Sequence, residues 1–420
     1  MDAASALAAT WGIAALATFG VIIRPWRVPE AVWAVAGAVL LVALGLLPSA
    51  DALAGVAKGF DVYLFLAGMM LLAEVARREG LFDWLAAHAA RRARGSATRL
   101  FGLVYGVGVL VTAFLSNDAT AVVLTPAVAA VARAARARDP LPYLFVCAFV
   151  ANAASFVLPI SNPANLVIYG LNMPPLLEWL PRYALPSIAS IGATYLVLRI
   201  TQRGALRDEL AADVAVPDLS AGALVSAWGI AATAALLLSA SAFDFRLGPP
   251  TCVAGLATAA AVLACERKSP WDLVRGMSWG ILPLVAGLFV LVEALDRTGV
   301  LRVLSEALRG FAGRSPALAP WVAGGSVALL CNLMNNLPAG LIAGAAVQAA
   351  QVSPLVTSAV LIGVDLGPNL SVTGSLATIL WLAALRREGI EVGAWRFLRL
   401  GLLVTPPALA FAIAALVMAA

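Results

Sequence analysis

Short clusters of polar residues interrupt strongly apolar stretches in both halves of this 420-residue chain. The members able to donate or accept hydrogen bonds to a ligand are Ser116, Asn117, Asn162 and Asn165 in the first half and Asn335, Asn336, Thr373, Ser375 and Thr378 in the second half. Prolines and glycines stand among them and disfavour a continuous helix. Side-chain amides, hydroxyls and freed backbone N–H groups at helix breaks bind small polar ligands. The pattern predicts one ligand site built from four helix breaks.

Two acids accompany these clusters. Asp118 stands in the first cluster, and Asp365 precedes the last one. An ionisable side chain at membrane depth is a functional group by default, so we predict proton-coupling roles for both carboxyls. No Arg or Lys lies within the clusters to balance the charge of an anion. The site is therefore predicted to prefer a neutral polyhydroxylated solute or a cation over a dicarboxylate.

Composition places the chain in a membrane. Hydrophobic residues make up 62% of it and charged residues only 12%, against about 25% charged in soluble domains. We interpret the net charge of +5 as arginines in cytoplasmic loops, with no nucleic-acid partner. Asp2 is the only charge before Arg24. The first apolar run therefore lacks the positive region of a signal peptide and is predicted to be a span.

Ten stretches approach the roughly 20 apolar residues that a span needs, two of them with an interruption. They are 3–22, 30–48, 60–76, 141–170, 183–202, 221–240, 249–265, 278–296, 355–385 and 394–418. Two further stretches, 100–132 and 317–352, break at SNDAT and MNNLP into arms that are short for a crossing. We predict re-entrant hairpins there, because irregular backbone at membrane depth is tolerated when it is buried in protein.

The hairpins decide which loops share a side of the membrane. With both in place, 21 of the 28 Lys and Arg residues fall on one side. The positive-inside rule makes that side cytoplasmic, so both chain termini are predicted to lie outside the cytoplasm.

The two halves also share residues at constant spacing. Gly68, Glu74, Gly80 and Asn117 each recur 219 positions later, and Asn152, Asn162 and Asn165 align with Asp365, Ser375 and Thr378 at a spacing of 213. In the predicted topology the partner spans 60–76 and 278–296 run in opposite directions. Inverted repeats of this kind are typical of secondary transporters with a site near the membrane midplane, so a carrier is favoured over a channel.

The predicted fold is an all-α polytopic membrane protein with about ten transmembrane helices, two of them broken, and two re-entrant hairpins in two inverted-topology repeats. N-terminal transmembrane helices occupy 1–48. The first repeat is 49–202, with its hairpin tip (the first tip) at 116–118 and its broken helix (the first break) at 161–165. A cytoplasmic linker covers 203–220. The second repeat is 221–420, with the second tip at 335–336 and the second break at 373–378.

Other polar residues are given structural roles. Glu74 and Glu293 end spans and are predicted to pair with Arg77 and Arg297. The only histidine, His88, lies in a basic amphipathic stretch that we predict to be an interfacial helix on anionic lipid.

Three motifs carry a family resemblance: FLSNDATAVVLTP at 114–126, ANAASFVLPISNPANLVIYG at 151–170 and NNLPAGL at 335–341. They resemble the arsenite efflux permease family, the membrane subunit of arsenical pumps within the ion transporter superfamily, over residues 10–415. The resemblance implies efflux of trivalent arsenite and antimonite hydroxides across the inner membrane in exchange for protons, or with an ATPase subunit when one is co-expressed. Carboxylate-transporting relatives have Thr at the position of Asp118. Arsenous acid is uncharged at neutral pH.

Two alternatives remain open. In a sodium-proton antiporter of the same superfamily, Asp118 and Asp365 would be cation ligands. A membrane-bound enzyme is disfavoured, because no metal, cofactor or nucleophile constellation is present. Trivalent arsenic binds thiols, and the nearest cysteines to the clusters are Cys147 and Cys331. Hydrogen bonding is nevertheless favoured over thiol contact, since a tight thiolate site would trap the solute.

Overall fold

The computed structural model describes residues 2–419, apart from the side chains of Ala3, Arg27 and Leu171. In this range the chain is helical, and its only β-structure is an isolated antiparallel bridge between Ser96 and Glu209. The first half contains α1 (Ala3–Ile23), α2 (Glu30–Ala43), α3 (Ser49–Lys58), α4 (Phe60–Arg78), α5 (Leu81–Ala93), α6 (Ala97–Phe114), α7 (Asn117–Ala119), α8 (Thr125–Ala134), α9 (Leu141–Ala153), α10 (Pro163–Tyr169) and α11 (Leu176–Thr201).

The second half repeats this order of helices. It contains α12 (Ala221–Ala242), α13 (Gly248–Glu266), α14 (Pro270–Gly276), α15 (Ile281–Arg297), α16 (Val300–Arg314), α17 (Ala319–Met334), α18 (Asn336–Ala350), α19 (Pro354–Leu366), α20 (Leu376–Arg387) and α21 (Ala394–Ala419). The α3–α4 pair bends by 47° and the α14–α15 pair by 42°. Gly80 and Gly299, 219 positions apart, begin the next helix of each half with φ of 78° and 82°. Glycine adopts this left-handed conformation without steric cost.

Contacts between loops group them at two ends of the molecule. At one end, here called the basic end, the linker 203–220 contacts Gly95, Ala135 and Glu79, and Glu79 pairs with Lys268. At the opposite end Lys58 pairs with Glu293, and Asp61 accepts a hydrogen bond from the Gly248 amide. The predicted linker therefore lies among arginine-rich loops of the first half.

The two bent spans run in opposite directions between these ends. Helix α4 begins beside Gly248 at the opposite end and finishes at the basic end, where Glu79 meets Lys268. Helix α15 follows Gly276, which lies against Glu74 near the basic end, and finishes where Glu293 meets Lys58. The antiparallel arrangement confirms the inverted repeats.

Each hairpin enters and leaves at a single end of the molecule. At the start of α6, Thr98 Oγ1 donates to the Leu206 carbonyl in the linker, and the Ala135 carbonyl after α8 accepts from Ala211 in the same linker. In the second hairpin, residues near the start of α17 pack against residues near the end of α18 and against α16. The predicted re-entrant hairpins are confirmed.

One helix of each half packs against the bent span of the other half. A Cβ on Gly68 of α4 would clash with the Thr251 carbonyl oxygen of α13. Its repeat counterpart Gly287 of α15 faces Ala34 of α2, where an added Cβ would lie 2.7 Å from the Ala34 carbonyl carbon. Small residues allow this close approach of membrane helices. The aligned glycines thus mark the contact that joins the halves.

The sequence predicts about ten spans. Among residues 2–419, six helices are long and apolar enough to cross a membrane, and the number rises to eight if each bent pair is one span. One of the six is α6, an arm of the first hairpin. The count of ten is not confirmed, because α2 has 14 residues and the broken spans are divided into segments, of which α9 and α19 have 13 each.

Candidate functional site

Local hydrogen bonds stabilise the backbone of the first tip. Ser116 has extended backbone, with φ of 173°, and its Oγ accepts from the Ala119 amide at 3.2 Å. Asn117 Oδ1 accepts from the Asp118 amide at 2.9 Å. These side chains satisfy amide groups that a helix N-terminus leaves without partners. The Asp118 side chain makes no hydrogen bond to the described residues 2–419, so its carboxylate is left to other partners.

The first break is tied to the first hairpin. Ser161 Oγ donates to the Ala113 carbonyl at 3.0 Å. Asn162 has extended backbone and accepts from the Ala164 amide through Oδ1 at 3.0 Å, which begins α10. Asn165 Nδ2 donates to the Ser155 carbonyl at 3.0 Å, one of the acceptors that the interrupted helix leaves free. Asn165 therefore stabilises the break itself.

The second tip is fastened to the second break. Asn335 has φ of 74° and ψ of 154°, and its Nδ2 donates to the Thr373 carbonyl at 3.3 Å. The Asn336 amide donates to the Gly374 carbonyl at 2.8 Å. Ser375 Oγ accepts from the Thr378 amide at 3.1 Å and thereby begins α20. Each of these predicted residues takes part in joining or capping the broken elements.

Two residues outside the predicted set strengthen that junction. Asn332 Nδ2 donates to the Gly367 carbonyl at 3.0 Å, and Asn332 Oδ1 accepts from Ser371 Oγ at 2.6 Å. Both lie within four residues of a predicted position. Proximity to the two polar clusters was the available sequence signal.

The two halves meet through buried amides and a carboxyl. Asn162 Nδ2 donates to Asp365 Oδ1 at 2.7 Å, and Asn152 Nδ2 donates to Asn369 Oδ1 at 2.9 Å. All four residues are fully or almost fully buried. The repeat alignment pairs Asn152 with Asp365, but in space each bonds to a different residue. The structure thus brings the first break directly against the segment that precedes the second.

Four buried oxygens in this region have no hydrogen-bond partner among residues 2–419. They are Asn152 Oδ1, Asn165 Oδ1, Asn336 Oδ1 and Asp365 Oδ2. Buried acceptors without a donor are unfavourable by about 1–3 kcal/mol each. A ligand that supplies O–H or N–H donors would satisfy them.

A small cavity lies between the first tip and the bent spans. Its volume is about 70 Å³. From the predicted set, Ser116 and Asp118 line it. The residues that sequence reasoning missed are Met69, Met70 and Met277, whose thioether side chains also form its wall. Methionine is a common core residue, so nothing in the sequence marked these three.

The remaining predicted residues do not line this cavity. Asn335, Asn336 and Thr373 belong to the junction of the second tip, and Asp365 lies against Asn162. The two acids predicted to couple protons therefore occupy different surroundings. Asp118 borders the cavity, whereas Asp365 is enclosed by protein.

Glu74 also borders the cavity, but its charge is balanced. Its Oε1 lies 2.7 Å from Arg77 and 2.7 Å from Arg78. The predicted pairing of Glu74 with Arg77 is confirmed. The predicted pairing of Glu293 with Arg297 is wrong: Glu293 lies 2.6 Å from Lys58, since the bend between α3 and α4 brings that lysine to the end of α15.

Arg297 instead pairs with Asp51 of α3. His88 lies on helix α5, and its Nδ1 donates to the Trp84 carbonyl at 3.0 Å. Neither residue contributes to the cavity.

The cysteines stand apart from the cavity. Cys147 and Cys331 are buried, and their thiols point to the carbonyls of Tyr143 and Val364 at 3.7 Å and 3.8 Å. No cysteine is among the residues that line the cavity. Within residues 2–419 there is no group of three or more His, Cys, Asp and Glu side chains placed to hold a metal ion.

Comparisons with known sequences agree with this architecture. A family model described as citrate transporter matches residues 16–363. An arsenical pump membrane protein of Escherichia coli is 28% identical over 395 residues, which cover 90% of this chain and 91% of that protein. One from Yersinia enterocolitica is 29% identical over 351 residues, covering 80% and 81%. An uncharacterized transporter of Mycobacterium tuberculosis is 27% identical over 418 residues, covering 93% and 94%.

Two solved structures share the fold. The YdaH transporter of Alcanivorax borkumensis superposes with a TM-score of 0.55 at 17% identity, covering 87% of this chain and 86% of that one. MtrF of Neisseria gonorrhoeae gives a TM-score of 0.54 at 13% identity, covering 90% and 83%. The arsenical pump matches confirm the family resemblance carried by the three motifs. The chain therefore belongs to the citrate transporter (CitMHS) family and is a multi-pass inner-membrane transporter similar to the arsenical pump membrane proteins.

Proposed function

We propose that this transporter exports trivalent arsenite and antimonite as neutral hydroxides in exchange for protons. Its similarity to arsenical pump membrane proteins over nine-tenths of the chain supports arsenic as the transported element. The family model, in contrast, bears the name of citrate, a tricarboxylate. The charges that line the cavity distinguish these two substrates.

The observation that carries the proposal is the absence of a cationic group from the cavity wall. Among the described side chains of residues 2–419, Asp118 and Glu74 line the cavity, and no Arg or Lys does. Glu74 is already paired with two arginines. A citrate anion would face the Asp118 carboxylate without a positive charge to offset its desolvation, which is strongly unfavourable. An uncharged hydroxide avoids this cost.

The cavity wall suits a soft element that carries hydroxyl groups. Asp118 and Ser116 accept hydrogen bonds from O–H donors. The sulfurs of Met69, Met70 and Met277 are polarizable and make favourable contacts without the tight binding of a thiolate. Hydrogen bonds and weak thioether contacts together permit release of the solute, which a carrier requires.

The four unpartnered oxygens support the same class of ligand. A trihydroxide offers three O–H donors, and three of these oxygens, Asn165 Oδ1, Asn336 Oδ1 and Asp365 Oδ2, accept no hydrogen bond from residues 2–419. We infer that the predicted substrate residues at both tips and both breaks contact the solute in the course of transport, as part of a site near the midplane.

Proton coupling is assigned to the acids. Asp118 borders the cavity without an ion-pair partner among residues 2–419, so it can exchange a proton with the solute compartment. Asp365 Oδ1 accepts a hydrogen bond from Asn162, whereas Oδ2 accepts none from residues 2–419. We infer that Asp118 carries the exchanged proton and that Asp365 responds to the movement of the first break.

Orientation follows from the distribution of basic residues. We infer that the basic end faces the cytoplasm and that both termini lie outside it, by the positive-inside rule. Residues 1–48, 49–202, 203–220 and 221–420 are proposed as N-terminal helices, first repeat, cytoplasmic linker and second repeat. An arsenical pump ATPase, where one is co-expressed, would dock at the basic end.

Everted membrane vesicles from an arsenite-sensitive host test the proposal. Vesicles containing the transporter should take up arsenite when a proton gradient is imposed, and an excess of citrate should leave that uptake unchanged. Vesicles from the same host without the gene set the background. Inhibition by citrate, or citrate uptake in place of arsenite uptake, would reject the neutral-hydroxide assignment.

The same vesicles distinguish the sodium-proton antiporter. In that case Asp118 would bind sodium, and sodium would drive proton movement in the absence of arsenite. We expect arsenite uptake to be insensitive to sodium. Sodium-driven proton movement without arsenite would favour the antiporter instead.

A further inference from the structure

Two grooves of equal size lie at the opposite ends of the α11–α21 helix pair. At the basic end, the groove is formed by the end of α11, the start of α21 and Phe145 of α9, and its volume is about 520 Å³. At the opposite end, the start of α11, the end of α21 and Ser358 of α19 form a groove of about 520 Å³. Phe145 and Ser358 are 213 positions apart, the spacing that relates the breaks. The grooves are one feature repeated on both faces.

The charges of the two grooves differ. Arg396 and Arg399 line the basic-end groove. The opposite groove is lined by Glu178 and Arg182, one of each sign. The repeat therefore provides the same shape twice, but only the basic-end groove carries an excess of positive charge.

Aromatic rings position both arginines at the basic end. The guanidinium carbon of Arg396 lies 5.9 Å from the centre of the Phe145 ring, and that of Arg399 lies 5.0 Å from the Trp395 ring. One carboxylate approaches, with Asp139 Oδ2 at 3.9 Å from Arg396. No carboxylate of residues 2–419 lies within 4.0 Å of Arg399. A guanidinium stacked on an aromatic face keeps its N–H donors available for an anion.

Thr201 and Gln202 of the α11 end also line the basic-end groove, and its side along α21 is apolar and opens toward the surface of the helix bundle. Leu400 and Leu403 continue the lining along α21. Leu403 is 56% exposed and Trp395 is 60% exposed. Exposed tryptophan at the end of a span is typical of the headgroup region of a bilayer. The positive part of the groove thus meets the membrane surface, and the apolar part meets the hydrocarbon.

We propose that the basic-end groove binds one anionic phospholipid. Arg396 and Arg399 contact the phosphate oxygens, since guanidinium N–H groups match phosphate geometry. An acyl chain lies along Leu400 and Leu403. A soluble anion would not use this apolar lining, and a basic pocket between span ends on the cytoplasmic side suits a lipid headgroup. This site is separate from the cavity at the first tip and does not depend on the transported solute.

Purified full-length transporter in detergent tests the site directly. Dioleoylphosphatidylglycerol should raise the midpoint of thermal unfolding, and dioleoylphosphatidylcholine should raise it much less. Replacing both arginines (Arg396→Gln with Arg399→Gln) should weaken the apparent affinity for the anionic lipid by roughly 25-fold, because each basic group near a lipid surface contributes about fivefold. Arg182→Gln in the opposite groove is the matched control and should behave as wild type.

Further arms separate the lipid from other anions and from misfolding. Glycerol 3-phosphate, which has the headgroup charge without chains, should produce no shift of the unfolding midpoint. Arg396→Lys with Arg399→Lys keeps the charge and should retain most of the lipid effect, with unchanged elution on size exclusion. The proposal is rejected if the double Gln variant keeps the full lipid shift, if Arg182→Gln loses it equally, or if glycerol 3-phosphate reproduces it, which indicates a free-phosphate site.

Discussion

The two hairpin tips occupy equivalent positions in the repeats but differ in what holds them. The first tip is capped by its own side chains, and Asp118 borders a cavity. The second tip is fastened to the second break through Asn335 and Asn336, which bond to Thr373 and Gly374. The two hairpins are related by the repeat, but the first tip borders a cavity and the second tip is hydrogen-bonded to the second break.

The residue after the aligned asparagine accounts for much of this difference. Asn117 and Asn336 are repeat counterparts, and the next residues are Asp118 and Leu337. Leu337 is buried, at 5% exposure, while Asp118 is half-buried at the cavity. An apolar side chain packs inward, whereas a carboxyl requires water, a cation or a hydrogen-bond donor. Substrate contact and proton exchange are thus expected to be concentrated at the first tip.

Removing the acid of the first tip should have the largest effect. Asp118→Asn keeps the size of the side chain but cannot exchange a proton, so proton-driven arsenite uptake should fall to the level of empty vesicles. Asp296→Asn is the matched control, because Asp296 is an exposed acid at the end of α15 and should leave uptake unchanged. Undiminished proton-driven uptake in Asp118→Asn would remove this carboxyl from the mechanism.

Backbone conformation offers a second way to distinguish the two tips. Asn335 has φ of 74° and ψ of 154°, a region that glycine adopts readily and that is strained in other residues by about 1–3 kcal/mol. Asn335→Ala should therefore destabilise the protein more than Asn335→Gly does. At Ser116, with φ of 173°, Ala and Gly should differ by less than about 1 kcal/mol, as expected for extended backbone.

Thermal unfolding of the four purified variants in one detergent measures this comparison. Both Asn335 substitutions lose the same side-chain hydrogen bond to Thr373, so their difference reports the backbone alone. Equal stability of Asn335→Ala and Asn335→Gly would contradict strain at the second tip.

The thioether wall predicts a smaller effect, again confined to the first tip. Met69→Leu with Met277→Leu preserves the volume and removes the polarizable sulfurs, so the arsenite concentration for half-maximal uptake should rise roughly threefold, the equivalent of about 0.7 kcal/mol. Met334→Leu, beside the second tip, should have no effect. If all three changes act alike, the sulfurs of the cavity have no special role.

Replacing the cysteines should have the smallest effect. Cys147 and Cys331 are buried against backbone carbonyls, and the cavity has no cysteine in its wall. Uptake of arsenite by a variant with all four cysteines changed to serine should remain within about twofold of wild type. Complete loss of uptake in a variant of normal stability would instead show that transport proceeds through a thiol.

Much of the architecture was predictable because it depends on local sequence. Apolar length determines what can cross a membrane, and Pro159, Pro163 and Pro368 mark places where a helix cannot continue. The spacing of Gly68 and Gly287 carries the repeat, and arginine placement separates the two ends. Inverted repeats and re-entrant hairpins followed from these features, whereas the family followed from the resemblance of the three motifs.

Other features required the tertiary structure. Nothing in the sequence distinguishes Lys58 from Arg297 as the partner of Glu293, because the choice depends on the bend between α3 and α4. The hydrogen bond from Asn162 to Asp365 joins two residues that the repeat alignment does not pair. The sulfurs around Asp118 come from α4 and from the segment before α15, which meet only after the halves pack together.

The sequence by itself determined the repeated breaks, the acids among them and the class of protein, because hydropathy and backbone propensity act over a few residues. Only the tertiary structure decided that Asp118 lies at a cavity while the equivalent position in the second half, Leu337, is enclosed. Burial and charge balance depend on which helices are brought into contact over more than a hundred residues of chain. The asymmetry between two similar tips is set by that packing.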